Sequence, residues 1–126
     1  PEDWVIATGK TTSVRDFVRM CFAEVGIELE FRGTGIDEKA FVSKCNNPKY
    51  QLEIGKEVLE IDPKYFRPTE VDILIGDPSK ANKKLGWQPE IQLPDLVKDM
   101  MTCDLKLMQK DQYLKKGGYE TLNYCE

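Results

Sequence analysis

Ser13-Val14-Arg15-Asp16-Phe17-Val18-Arg19-Met20-Cys21-Phe22-Ala23-Glu24-Val25-Gly26-Ile27-Glu28-Leu29-Glu30-Phe31 is the stretch on which the fold turns. In its first half Val14, Phe17, Val18, Cys21, Phe22 and Val25 recur at helical spacing and share one face. Ser13 stands where a side-chain oxygen can accept from the free N–H groups of a first turn. Gly26 stands where a left-handed residue can end the last one. Past the glycine the period changes to two. Ile27, Leu29 and Phe31 alternate with Glu28 and Glu30, as in a strand with one wet face.

Upstream, residues 4–8 read Trp-Val-Ile-Ala-Thr and end at Gly9. An unbroken apolar run of this kind predicts a strand buried on both faces. Strand, helix and strand together form a βαβ-like unit. Downstream, Gly33-Thr34-Gly35, Asn46-Asn47-Pro48 and Gly55-Lys56 mark turns, so residues 33–55 read as a loop with one short extended piece at 41–44. Residues 58–61 read as a strand stopped by Asp62-Pro63, because proline cannot donate to a ladder and restricts its predecessor. Residues 69–75 read as a short helical turn. Asp77-Pro78 opens a helix over residues 79–85 that Gly86 closes. Leu93, Leu96, Val97, Met100, Met101, Leu107 and Met108 define a long amphipathic helix to about residue 109. The pattern predicts a small α/β unit, α+β-like as a fragment, with short strands and three or four helices. Residues 1–109 form its domain and residues 110–126 a loosely ordered tail.

Composition narrows the function. The chain has 126 residues, a net charge of −4 and no histidine. One modest core is within reach of that length. The acidic balance argues against nucleic acid or an anionic membrane as a partner. No apolar run approaches the roughly 18 residues that a spanning helix needs. The chain opens on Pro1-Glu2-Asp3-Trp4 without methionine or a signal pattern, which reads as an internal start in a longer protein. The four cysteines, Cys21, Cys45, Cys103 and Cys125, show no C-x-x-C pairing and no disulfide spacing. They point to a reducing, cytoplasmic compartment and to no metal site.

No catalytic set emerges from the motifs. Gly33-Thr34-Gly35 follows a strand, but the third small residue of a dinucleotide loop is replaced by Glu38, whose carboxylate would repel a pyrophosphate. None of the five tyrosines has a lysine four residues later, the spacing in which a lysine lowers a tyrosine pKa for proton transfer. The most informative segment is Asp62-Pro63-Lys64-Tyr65-Phe66-Arg67-Pro68-Thr69-Glu70-Val71. Pro68 biases Arg67 toward extended backbone and suits the first position of a helical turn. Arg67 would then sit at a helix N-terminus, where an anion is favoured and a guanidinium can grip two phosphate oxygens. Glu70, one turn on, could accept from two ribose hydroxyls. A surface Arg-Glu pair is the other reading of this spacing, and the residues alone leave both open.

Arg67-x-x-Glu70 followed by a helix and Lys84-Leu85-Gly86-Trp87-Gln88-Pro89 resembles the C-terminal part of the extended short-chain dehydrogenases/reductases that modify nucleotide sugars. Within that group the chain is most similar to the GDP-mannose 4,6-dehydratases. The likeness rests on residues 1–9, on Ser13-Val14-Arg15-Asp16-Phe17, on residues 65–71 and on Gly76-Asp77-Pro78-Ser79-Lys80-Ala81. It runs from residue 1 to about residue 109. The resemblance implies a substrate-binding domain in which Arg67 contacts the diphosphate and Glu70 the ribose of GDP-mannose. It implies that NADP and the catalytic residues belong to an upstream part of the enzyme, so this chain carries neither. It also implies a homo-oligomer when full length. A sister epimerase or dehydratase acting on another nucleotide sugar, and a non-catalytic sugar-nucleotide-binding module, are the competing readings.

Overall fold

The computed structural model describes residues 1–69 and 74–121. It holds three α-helices, one 3-10 turn and a three-stranded antiparallel sheet, a small mixed α/β unit. The decisive stretch folds as its pattern requires. Helix α1 spans Val14–Glu24, and Oγ of Ser13 accepts from the backbone N–H of Asp16 at 3.0 Å. Gly26, at φ +70, closes it by donating to the carbonyl of Ala23 at 2.9 Å. Asn47 Nδ2 donates to the carbonyl of Val25 at 2.8 Å, which ties this helix end to the loop beyond the next hairpin.

Strand β1 (Ile27–Arg32) pairs with β2 (Lys39–Cys45), and β2 with β3 (Glu57–Glu60), in the order β1-β2-β3. β2 is thus longer than the short piece expected at residues 41–44. Alternation decides the faces: Ile27, Ala40 and Val42 point inward and are buried, while Glu28, Glu30 and Ser43 are exposed. Helix α1 lies on β1 and against helix α3 (Leu93–Lys116), from which Val97 joins the core. Helix α2 (Ser79–Leu85) buries Ala81 and ends at Gly86, φ +67, within the bounds its motif predicts.

Two elements differ from the sequence reading. The strand expected over residues 4–8 does not form, so α1 does not link two parallel strands. A strand exists only as a ladder, and the three described strands all follow α1 and pair among themselves. Val5 and Ile6 remain exposed, and the segment runs close to Gly76, where a Cβ would stand 2.6 Å from Cβ of Ala7. Trp4 lies beneath the ammonium group of Lys80, 4.7 Å from the ring centre, and Lys80 donates to the carbonyl of Asp3 at 2.9 Å. The second difference is α3, which continues past residue 109 to Lys116. Gly117 and Gly118 end it, with Lys115 and Lys116 placed favourably against the helix dipole. The helical turn expected at residues 69–75 falls largely on residues 70–73, outside the described residues.

Candidate functional site

Both outer strands of the meander run against β2, so β1 and β3 leave the sheet at the same end. The register there places Arg32 opposite Lys39 and Lys39 opposite Glu60. Two loops meet beyond that row: residues 33–38, joining β1 to β2, and residues 61–69, following β3.

The first loop is locked by its backbone. Gly33 has φ +84, and a Cβ there would stand 2.2 Å from the carbonyl oxygen of Asp37, so only glycine fits. A 3-10 turn follows at Gly35–Asp37, and the chain passes straight into β2. Glu38 is clasped by Arg15 of α1: Nε donates to Oε1 at 2.6 Å and Nη2 to Oε2 at 2.8 Å. This two-pronged geometry suits a guanidinium and a carboxylate. The Arg15 hydrogen bond holds the Glu38 carboxyl below its ordinary range, and Glu38 in turn raises Arg15. Arg15 and Arg19 also lie over the Phe31 ring, 5.8 and 4.8 Å from its centre. Lys39 bonds both oxygens of Glu57 at 3.0 Å, which raises its pKa.

The second loop begins with a tight reversal. The Asp62 carbonyl accepts from Tyr65 N–H at 3.0 Å, and its side chain accepts from Lys64 N–H at 2.8 Å. Aspartate first and proline second are the residues such a turn favours. The reversal carries Phe66, half-buried, back over the first loop, with Cζ 3.8 Å from where a Cβ on Gly35 would lie. Arg67 follows directly and is exposed at this end of the sheet. Glu70, its expected companion, lies outside the described residues.

An exposed guanidinium on a braced loop can grip an anion. Gly33-Thr34-Gly35 leads into a strand, where the fingerprint needs a helix N-terminus to face the pyrophosphate. Burial pushes the Cys21 thiol up, away from the thiolate form. Sequence reasoning named Arg67 and Glu70 as candidates and did not anticipate the Arg15–Glu38 clasp or the approach of Phe66 to Gly35. The clasp spans residues 23 apart in sequence, and no local spacing announces it. No helix among the described residues is long and apolar enough to cross a membrane.

Comparison with known proteins addresses the family of the chain. The profile of the family described as GDP-mannose 4,6 dehydratase matches residues 1–100. The chain is 47 % identical over 121 residues to a GDP-mannose 4,6-dehydratase of Yersinia enterocolitica, covering 95 % of this chain and 32 % of that protein. It is 50 % identical over 120 residues to the Vibrio cholerae protein of that name, covering 94 % of this chain and 32 % of the relative. With GDP-mannose 4,6 dehydratase 2 of Caenorhabditis elegans it shares 47 % identity over 111 residues, 88 % of this chain and 26 % of the relative. The chain thus spans about a third of the length of these relatives or less. Likeness of this extent, carried along most of the chain, places it in the GDP-mannose 4,6-dehydratase family.

Proposed function

We propose that this chain is the sugar-nucleotide-binding portion of an NADP-dependent lyase that converts GDP-mannose into GDP-4-keto-6-deoxymannose, toward GDP-fucose and other deoxyhexoses. One observation carries the reading: near 50 % identity to dehydratases of that name extends over almost the whole chain. Arg67 grips the diphosphate, and Glu70, in the adjoining segment, accepts from the ribose hydroxyls. The loop that presents Arg67 is braced from below, so little freedom is lost when the substrate docks. Holding the diphosphate fixes the mannose in register with groups that lie elsewhere in the enzyme. Such orientation can supply about 7 to 11 kcal/mol of a barrier at best.

NADP supplies the hydride chemistry of the reaction. The described residues of this chain do not fit it, so it is assigned to the portion of the enzyme that this chain does not span, together with the catalytic acid and base. Residues 1–109 act as the binding domain and residues 110–126 as an appendage to it. The full-length enzyme is a cytoplasmic homo-oligomer in this reading, which fits the free Cys21, Cys45 and Cys103.

Turnover tests the proposal. The full-length protein with NADP should convert GDP-mannose to the 4-keto-6-deoxy product and leave UDP-glucose and dTDP-glucose unchanged. This chain alone should convert none of the three. Turnover of UDP-glucose or dTDP-glucose in preference to GDP-mannose would overturn the substrate assignment.

A further inference from the structure

We infer that residues 5–6 and 74–75 form one docking face for the remaining portion of the same polypeptide, and that Lys80 is the positioning residue that assembles it. Val5, Ile6, Leu74 and Ile75 are large apolar residues, each half exposed or more, on two segments that belong to no described strand. The segments touch. A Cβ on Gly76 would stand 2.6 Å from Cβ of Ala7 and 3.2 Å from Cγ1 of Val5, closer than side chains approach one another, so a glycine is what lets them meet.

Helix α2 holds both segments. Residues 74–76 lead into it directly through Asp77 and Pro78. The other segment is clamped to it from the side. Lys80 Nζ donates to the carbonyl of Asp3 at 2.9 Å, lies 3.0 Å from Oε2 of Glu2 and stands 4.7 Å from the centre of the Trp4 ring. Lys84, one turn on, reaches the same carboxylate at 3.1 Å and the same ring at 5.9 Å. A main-chain carbonyl, a carboxylate and an aromatic face thus converge on one ammonium, which leaves residues 2–4 little room to swing. Val5 and Ile6 follow directly on this clamp.

Two facts point to the occupant. The chain spans 32 % of its Yersinia and Vibrio relatives, so about two thirds of such a protein lies outside it. A covalently joined portion meets the face at an effective concentration of roughly millimolar, without the loss of free motion that a second copy bears. The charged groups beside the face, Glu2, Lys80 and Lys84, are engaged with one another. What the face offers is apolar area, and its partner is an apolar surface of the same polypeptide.

The test is thiol labelling of the full-length enzyme, read peptide by peptide to set the native cysteines apart. Ile6→Cys and Leu74→Cys should each label at least about a hundredfold more slowly in the native enzyme than in urea, since a covered thiol reacts only when its segment opens. Adding Lys80→Met should speed labelling at Ile6→Cys by about tenfold or more, and Lys80→Arg, which keeps a cation over Trp4, should not. Melting curves identify any variant that fails to fold. Val5→Cys then replaces Ile6→Cys, and Gly76→Ala, which forces the segments apart, replaces Lys80→Met. Native labelling of both positions as fast as in urea would overturn the docking face. Protection that vanishes on dilution to single protomers would assign the cover to a second copy and overturn the occupant. Unchanged labelling in folded Lys80→Met would overturn the clamp. None of these readings involves turnover or Arg67, so the inference fails or stands apart from the proposed function.

Discussion

Gly33 and Glu38 bracket a turn of only a few residues, and each makes a separate demand. Alanine at position 33 would force a side chain to φ +84 and 2.2 Å from a carbonyl oxygen. The conformational term alone costs about 1–2 kcal/mol, and the clash adds to it. Urea denaturation of Gly33→Ala should show a clearly lower midpoint; an unchanged midpoint would mean that the turn is not held as described. Glu38 acts through charge. Arg15 lowers its folded pKa, so its stabilising contribution is complete above the ordinary glutamate value of about 4.3. That contribution is lost as pH falls through the lower folded value. The melting temperature of Glu38→Gln should therefore lie below wild type at pH 7, and the gap should close as the pH drops below about 4. A gap that stayed constant with pH would show that the clasp is not electrostatic. Residue types and the proline beside it single out Arg67 as a candidate, a role that the titration below tests. The approach of Phe66 to Gly35 was not legible, because the two lie on different loops and no local spacing joins them.

Ser13 and Gly26 frame α1 at the scale of the element, and both were readable as caps because capping is local chemistry. Ser13→Ala should cost about 1 kcal/mol by orphaning the Asp16 N–H, measurable as a loss of thermal stability with the helix register unchanged. A change below a few tenths would contradict the cap. The alternation at residues 27–31 was as plain, since Ile27, Leu29 and Phe31 face inward and the glutamates between them face water. Residues 4–8 misled for the opposite reason. An apolar run states that a segment wants cover, but a strand also needs a neighbour to bond, and local sequence does not say which segments become neighbours. The end of α3 was placed short because the apolar stripe thins after Met108. Lysine, glutamine and leucine still favour helix there, and the first true stop is Gly117-Gly118.

The whole molecule shows more apolar surface than its core accounts for. Among the described residues Ile27, Ala40, Val42, Ala81 and Val97 are the buried apolar ones, whereas Val5, Ile6, Leu74 and Ile75 are half exposed or more. Gly76 approaches Ala7 and Val5 closely, so the backbones of residues 5–7 and 74–76 run side by side with exposed apolar residues on both. A surface of this kind is a site of association or of aggregation. The chain by itself should bind a hydrophobic dye and melt well below the full-length enzyme; a dye-silent chain of equal melting temperature would show that the region needs no cover. The central claim concerns Arg67 and is best tested by calorimetric titration of the full-length enzyme with GDP-mannose. Charge-assisted contacts to a diphosphate predict that Arg67→Ala weakens binding by roughly ten- to a hundredfold. An Arg67→Ala enzyme that is folded and binds GDP-mannose as tightly as wild type would contradict the account.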